Sequence, residues 1–231
     1  MSNADINELN HFNALANEWL DPQGPMRTLH HITPWRIDYL KKQCSLQNKT
    51  VLDIGCGAGI LCEALAREHA QVTGIDLAEE LIHVAQEHSK NHSISYHISS
   101  TEHFAKENIA SYDLVTCLEM LEHVPDPEQV VIAAAKLCKP GGQIVFSTIN
   151  RTATAYVKTI IVGEWLSHLI PKGTHHYQDY IKPSELSRWC RHAGLSITSI
   201  EGMHYNPLTQ KASTTSCTRD NYILVCYKPE E

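Results

Sequence analysis

The stretch VLDIGCGAGILCEALA, residues 51–66, joins an apolar, strand-like run to a helical pattern through three alternating glycines, Gly55, Gly57 and Gly59. Glycine loses more conformational entropy on folding than any other residue, so its repeated use at one turn needs a structural reason. The usual reason is that a ligand approaches the backbone closely. The free N–H groups at the start of the following helix, at the positive end of its dipole, favour an anionic group on that ligand.

Strand-sized apolar runs alternate with helix-sized patterns from residue 50 to residue 150. TVLDIG precedes ILCEALAREHA, QVTGID precedes AEELIHVAQEHSK, and YDLVTC precedes PEQVVIAAAKLC. This alternation predicts βαβ units and an α/β fold with a single doubly wound, mostly parallel sheet. We expect one domain over 1–231, made of an N-terminal helical cap (1–45), a cofactor-binding core (50–150), an inserted helical lid (151–181), and a C-terminal helix and strands (182–231).

The last part of the chain contains two more strand-like runs, LSITSIEGMHY and NYILVCY. The polar stretch between them, NPLTQKASTTSCTRD, is typical of a loop. Earlier in the chain, Asp126 followed by Pro127 predicts an N-cap and first turn for the helix after the fourth strand.

The composition excludes several classes of protein. A net charge of −7 without any basic run argues against a nucleic-acid partner. The eight cysteines form no C-x-x-C pair, and several lie in apolar runs, which favours reduced thiols and a cytoplasmic location. The polar N-terminus is unlike a signal peptide, and no apolar run is long enough to span a membrane. The pairs His30–His31 and His175–His176 lack further metal-ligand spacing, so hydrogen-bonding roles are favoured.

The glycine pattern distinguishes between possible ligands. A dinucleotide fingerprint needs a glycine where this chain has Ile60, and the pattern here is D-x-G-x-G-x-G with Asp53 inside the strand. A ligand with a carboxylate and an amine fits this change, since Asp53 is placed to interact with an ammonium group. Asp76 ends the second strand, where an acid can accept hydrogen bonds from both ribose hydroxyls. The alternative for Asp76 is to cap the helix that follows.

Three short stretches of the chain, DIGCGAG, GID and KPGG, resemble the class I S-adenosylmethionine-dependent methyltransferases. Longer stretches are similar to the ubiquinone biosynthesis O-methyltransferases: TCLEMLEHVPDPEQVV, PGGQIVFSTINR, LIPKGTHHYQDYIKPSEL and GMHYNP. The resemblance extends over nearly the whole chain. It implies S-adenosylmethionine as the methyl donor and methylation of a phenolic oxygen, first on a polyprenyl catechol (2-polyprenyl-6-hydroxyphenol) and later on 3-demethylubiquinol.

The resemblance also implies which residues bind the methyl donor. Arg36, Gly55, Asp76 and Leu118 stand at the family's cofactor-contact positions, beside the other loop residues Asp53, Gly57 and Gly59. A guanidinium at Arg36 would pair with the methionine carboxylate, although the residues alone favour a surface charge. Ser100, Thr101 and Glu102 are expected to end the third strand and are candidates for contact with the adenine.

Three polar residues after the fourth strand, Glu119, Glu122 and His123, are the candidate catalytic groups. If this stretch forms a helical turn, all three share one face. They could then hold Mg²⁺ against the two oxygens of a catechol and lower its pKa, as the family resemblance suggests. A metal-free alternative makes His123 the general base. A third interpretation gives these residues only helix-capping or solvent-facing roles.

The stretch AYVKTIIVGEWLSHLIPKG, residues 155–173, interrupts the alternation with an amphipathic helical pattern. One interpretation is a lid packed on the core, and the other is weak peripheral contact with the inner face of the membrane, where a polyprenyl quinol resides. Association with other enzymes of quinone biosynthesis follows from the same resemblance. Methylation of another small phenol and a non-catalytic quinone-binding scaffold are the alternative functions.

Overall fold

A computed structural model describes residues 3–89, 94–157 and 177–230. Eight strands form one sheet in the order β3-β2-β1-β4-β5-β8-β6-β7. Strands β1 to β5 pair in parallel, and β8, β6 and β7 extend the sheet through antiparallel pairs. The bounds are Thr50–Ile54 (β1), Gln71–Asp76 (β2), Ile94–Ile98 (β3), Tyr112–Leu118 (β4), Cys138–Ile149 (β5), Ser196–Asn206 (β6), Lys211–Thr215 (β7) and Asn221–Tyr227 (β8). This confirms the predicted α/β fold with a mostly parallel sheet.

Helices connect the parallel strands and precede the sheet. They are α1 (Ile6–Ala14), α2 (Arg27–Gln43), α3 (Ile60–Arg67), α4 (Glu79–His88), α5 (Thr101–Glu107), α6 (Pro127–Leu137), α7 (Ala153–Tyr156) and α8 (Pro183–His192). Asp126 caps α6 as predicted, because its carboxylate accepts the backbone N–H of Gln129 at 3.3 Å. Short 3₁₀ turns cover Ala16–Glu18, Leu121–His123 and Tyr177–Asp179.

The central strands are buried on both faces, as expected for a parallel sheet covered by helices. Val51, Leu52, Leu114 and Val115 of β1 and β4 have no exposed surface. Each fully buried aliphatic side chain of this kind contributes about 1.5–3 kcal/mol of transfer free energy. The sheet is therefore a rigid support for the residues that follow its strands.

In the C-terminal half, one part differs from the sequence-based expectation, and another lies mostly outside the described residues. The polar stretch after β6 is not entirely a loop, because Lys211–Thr215 forms β7 and pairs with β6 at the sheet edge. Threonine suits an edge strand with one solvated face, and the pattern was too polar to predict one. The insertion predicted at 151–181 begins with α7, but residues 158–176, and with them most of 155–173, lie outside the described residues.

Among residues 3–89, 94–157 and 177–230, no helix has the length and hydrophobicity needed to cross a bilayer.

Candidate active site

The glycine loop adopts a backbone conformation that explains its composition. Gly55, Gly57 and Gly59 have φ values of 72°, 53° and 81°, in the left-handed region that other residues rarely enter. The indole of Trp19 also packs against Gly57, where an added Cβ would lie 2.9 Å from the ring. Gly59 faces the Tyr96 hydroxyl and does not line the cavity described next. Glycine at position 59 is therefore explained by its backbone conformation and by its packing against Tyr96.

A cavity of about 540 Å³ opens at the carboxyl ends of β1, β2 and β4. In open α/β sheets, ligands bind at this edge, next to the point where the strand order reverses. Most of the predicted site residues line it, together with apolar side chains from α1, α2 and β6. The predicted residues present are Arg36, Asp53, Gly55, Gly57, Asp76, Ser100, Thr101, Glu102, Leu118, Glu119 and His123.

Asp76, the last residue of β2, is held by backbone N–H groups. Its Oδ2 accepts from Gly57 and its Oδ1 accepts from Ala78, each at 2.9 Å. Burial raises the pKa of Asp76, and these two N–H donors oppose that shift. A carboxylate oxygen has more than one acceptor site, so both oxygens can still accept a ligand hydroxyl. Asp76 thus fixes the glycine loop and faces the cavity.

Asp53 lies within β1 and is almost fully buried. The Thr116 hydroxyl donates to its Oδ1 at 2.7 Å, and the Cys62 thiol lies 3.6 Å from Oδ2. Burial raises the pKa of Asp53 to about 6, although these donors and the Arg36 guanidinium oppose the shift. A cationic group in the cavity would stabilise the ionised carboxylate.

Arg36 is a buried residue of α2, which the residues alone did not predict. Only 6% of its surface is exposed, and its Nη2 has no hydrogen-bond partner. Burial lowers the pKa of Arg36, while the Glu119 carboxylate, 3.7 Å from Nη2, opposes that shift. Burying a guanidinium without full hydrogen bonding is costly, and an anionic ligand group would reduce the cost.

Ser100, Thr101 and Glu102 stand at the start of α5 instead of ending β3. The Ser100 hydroxyl accepts the N–H of His103 at 3.2 Å and caps the helix. The Glu102 carboxylate accepts from Asn3 Nδ2 at 2.7 Å, which connects the chain before α1 to this wall of the cavity.

The three candidate catalytic residues do not share a helical face. The 3₁₀ turn begins at Leu121, and Glu119 precedes it with φ of 55°. Each side chain has a different partner. Ser147 donates to Glu119 at 2.6 Å, Thr148 donates to Glu122 at 2.8 Å, and His123 Nδ1 lies 2.9 Å from Glu8 Oε2.

Glu122 is buried against β5 and does not line the cavity, whereas Glu119 and His123 do. In the part of the chain that the structure describes, no group of three or more His, Cys, Asp or Glu side chains could hold a metal ion. The magnesium site predicted for Glu119, Glu122 and His123 is therefore not assembled in this conformation.

Sequence reasoning missed several cavity residues that come from distant parts of the chain. Leu118 closes the end of β4 as expected, but the adjoining walls include Glu8 and Phe12 of α1, Trp19, and Tyr205 of β6. The Tyr205 hydroxyl lies 2.7 Å from His31 Nδ1, which joins α2 to β6 beside the cavity. No spacing in the sequence relates these residues, because they meet only through the tertiary fold.

Comparisons with known proteins agree with this geometry. A family model described as a methyltransferase domain matches residues 16–200. Ubiquinone biosynthesis O-methyltransferase of Xanthomonas campestris pv. campestris (strain B100) is 48% identical over 99% of this chain and 96% of its own length. The protein of the same name from Xanthomonas euvesicatoria pv. vesicatoria (strain 85-10) is 46% identical over the same shares.

A solved structure extends the comparison to the fold. Magnesium protoporphyrin IX methyltransferase from Synechocystis PCC 6803, with bound S-adenosylhomocysteine, superposes with a TM-score of 0.69 at 21% identity, over 95% of this chain and 94% of that one. The family model identifies a methyltransferase, and the sheet order with a cavity at its carboxyl edge is that of the class I S-adenosylmethionine-dependent fold. Within this class, the chain belongs to the ubiquinone biosynthesis O-methyltransferase family.

Proposed function

We propose that this enzyme transfers a methyl group from S-adenosylmethionine to the phenolic oxygen of a polyprenyl catechol and of 3-demethylubiquinol. The observation that carries the proposal is the cavity itself. It brings a buried, incompletely bonded Arg36 and the carboxylates of Asp53 and Asp76 to one end of an otherwise mostly apolar space. That charge pattern complements an amino acid joined to a nucleoside.

The methyl donor is held by opposite charges at its two ends. Arg36 Nη2 would bind the methionine carboxylate, and Asp53 would accept from the ammonium group. Asp76 would accept from the ribose hydroxyls while it keeps its bonds to Gly57 and Ala78. Leu118 and residues 100–102 border the remaining space, where the adenine is expected.

The acceptor phenol is placed against the apolar wall. The residues proposed to form this wall are Leu29 and Ile32 of α2 and Met203 and Tyr205 of β6, all of which line the cavity. An aromatic ring with an isoprenoid substituent has the shape and polarity for such a wall. Glu119 and His123 are among the polar residues that line the same cavity.

The bound sulfonium supplies an electrophilic methyl group, so the chain must orient the acceptor oxygen and remove its proton. A phenol has a pKa of about 10, and roughly one molecule in a thousand is ionised near neutral pH. His123 accepts that proton as the general base. General-base catalysis of this kind contributes about 10²- to 10⁴-fold to the rate.

The residues do not fit a magnesium ion as they stand. Glu119 and His123 line the cavity while Glu122 is buried against β5, and among the described residues the three side chains are not gathered around one point. Turnover measured with a chelator and then with added Mg²⁺ decides between the two roles. Loss and recovery of turnover would assign these residues to a metal, and unchanged turnover would leave His123 as the base.

We also propose that the enzyme acts at the inner face of the cytoplasmic membrane, through weak contact by residues 155–173 and in association with other quinone biosynthesis enzymes. The reason for this proposal is that a polyprenyl acceptor partitions into the bilayer. Residues 158–176 lie outside the described structure, so the proposal rests on the apolar pattern of this segment.

A methyl-transfer assay tests the proposed function directly. Purified protein is incubated with labelled S-adenosylmethionine and a series of catechols with increasing prenyl length. We expect methylated product and a preference for prenylated acceptors. Turnover confined to simple phenols would favour another small phenolic acceptor. Quinol binding without product, with S-adenosylmethionine present, would support the quinone-binding scaffold.

A further inference from the structure

One polar contact joins α1 to the proposed general base. Glu8 Oε2 lies 2.9 Å from His123 Nδ1, although the two residues are 115 positions apart in the chain. Both side chains line the cavity, and only 17% and 11% of their side-chain surfaces are exposed. A carboxylate can only accept in this contact, so Nδ1 is the ring nitrogen that carries the proton.

The contact determines what the other ring nitrogen can do. When Nδ1 of a neutral imidazole is protonated, Nε2 carries the lone pair and can accept a proton. Phe12, one turn after Glu8 on α1, packs edge-on against the His123 ring with centroids 5.0 Å apart and planes at 86°. Two residues of one helix therefore restrict the ring of His123.

We propose that Glu8 is a positioning residue that fixes the orientation and tautomer of His123. This inference rests on the proposed function, in which His123 takes the phenolic proton. The proton passes from the phenol oxygen to Nε2, and an oxygen electron pair forms the new O–CH₃ bond. The C–S bond breaks with its electron pair left on sulfur. Glu8 touches none of the reacting atoms and keeps its hydrogen bond to Nδ1, as the orienting acid does in other base–acid pairs.

A purely structural role for Glu8 would be to hold α1 on the protein. None of the residues of α1 is fully buried, so polar contacts matter for its attachment. Asn3 supplies a second attachment, with bonds of 2.7 Å to Glu102 Oε1 and 2.7 Å to the Asp126 carbonyl. Neither of these Asn3 bonds involves His123. Asn3→Ala should therefore loosen the chain before α1 while Glu8 keeps its contact with the imidazole of His123.

Steady-state kinetics separate the two roles. We expect Glu8→Ala to lower kcat by roughly 10- to 100-fold, the usual effect of removing an orienting partner. KM for the catechol and Kd for S-adenosylhomocysteine should stay within about twofold, because Glu8 acts through His123. Glu8→Gln keeps an acceptor oxygen and should recover most of the turnover. Asn3→Ala should raise Kd for S-adenosylhomocysteine and lower kcat only slightly.

A surface pair gives a matched control. Glu128 Oε1 lies 3.1 Å from His192 Nδ1, both are partly exposed, and neither lines the cavity. Glu128→Ala should leave turnover unchanged. Equal losses of kcat in Glu8→Ala and Asn3→Ala would overturn the proposal. A rise in KM at unchanged kcat in Glu8→Ala would do the same.

The tautomer can be measured without any turnover. Ring ¹⁵N shifts at alkaline pH show which nitrogen is protonated, and the signals of His123 are identified by their loss in His123→Asn. We expect Nδ1–H in the wild-type protein and a shift toward Nε2–H in Glu8→Ala. Nε2–H in the wild type would overturn the positioning role even if catechols are methylated. Nδ1–H in a protein that methylates no catechol would instead contradict only the proposed function.

Discussion

The guanidinium of Arg36 stands 3.7 Å from the carboxylate of Glu119, between α2 and the residue that follows β4. Both groups line the cavity, and Arg36 is buried. Removing one member of a buried ion pair leaves an uncompensated charge and is strongly destabilising. The same pair therefore affects both stability and ligand binding, and substitutions can separate these effects.

Arg36→Met should lower both the melting temperature and the affinity for S-adenosylhomocysteine. The loss of a charge-assisted hydrogen bond, about 1.5–3 kcal/mol, corresponds to a roughly 10- to 100-fold rise in Kd. Arg36→Met with Glu119→Gln removes the uncompensated carboxylate, so the melting temperature should recover while Kd stays high. Calorimetry and thermal melting measure the two quantities. A double variant with restored affinity would contradict the carboxylate-binding role of Arg36.

Asp76→Ala should weaken binding of S-adenosylhomocysteine by at least 10-fold, roughly the effect of one charge-assisted hydrogen bond. It removes the proposed acceptor of the ribose hydroxyls and the support of the Gly57 N–H. Asp113→Ala is the control, because Asp113 likewise accepts a backbone N–H, from Thr50 at 2.9 Å, but lies outside the cavity. Calorimetry should show near wild-type Kd for the control. Unchanged Kd in Asp76→Ala would rule out the ribose role.

Asp53 gives the folded protein a defined pH dependence. Its pKa is raised from 3.8 to about 6, so the folded state favours the protonated form. The resulting stability is fully present below the unfolded-state pKa and is lost as pH rises through the folded-state value. Two pKa units correspond to about 3 kcal/mol.

Asp53→Asn removes this titration. Its free energy of unfolding, relative to wild type, should therefore improve by up to about 3 kcal/mol between about pH 4 and pH 7. Denaturant melts at several pH values measure this difference, and the effects of other titrating groups cancel in the comparison. A constant difference between the two proteins over this range would contradict the raised pKa.

His123→Ala should lower kcat by about 10²- to 10⁴-fold while Kd for S-adenosylhomocysteine changes little, because the imidazole acts on the acceptor oxygen. Glu122→Gln should also lower turnover more than cofactor affinity. Its carboxylate accepts from Thr148 and holds the turn that carries His123. Single-turnover methylation and calorimetry provide the two measurements. Wild-type rates in both variants would show that neither His123 nor Glu122 contributes to methyl transfer.

The sequence predicted the parts of the site that depend on local structure. Gly55 follows β1, Asp76 ends β2 and Leu118 ends β4, and the carboxyl ends of parallel strands meet at one edge of a sheet. The left-handed backbone of the loop also follows from its glycines. These features need only strand periodicity and backbone sterics.

Other parts depend on long-range packing and had no local signal. A lone arginine in a helical pattern is usually a surface charge, so the place of Arg36 at the cavity was implied only by the family resemblance. Glu8 reaches His123 from 115 positions away, and no periodicity relates the two residues. The positive φ of Glu119 breaks the helical turn on which a shared face for the three catalytic residues depended.

The last prediction concerns the contact of residues 155–173 with the membrane. Val157, Ile161 and Trp165 are spaced at i, i+4 and form an apolar stripe if this segment is helical. Trp165 suits headgroup depth, and the few lysines nearby favour anionic lipid. Because the chain carries a net charge of −7, attachment should be weak and reversible. We expect co-sedimentation with anionic liposomes at low salt.

Ile161→Asp with Trp165→Glu should abolish co-sedimentation while short-chain catechols are still methylated, because neither substitution changes a described residue that lines the cavity. Ile109→Asp is the matched control: Ile109 is 65% exposed and precedes β4 at the sheet edge opposite the cavity. That variant should bind liposomes as the wild type does. Two results would contradict the membrane contact and favour a lid over the core: wild-type protein that stays in the supernatant, or equal loss of binding in both variants.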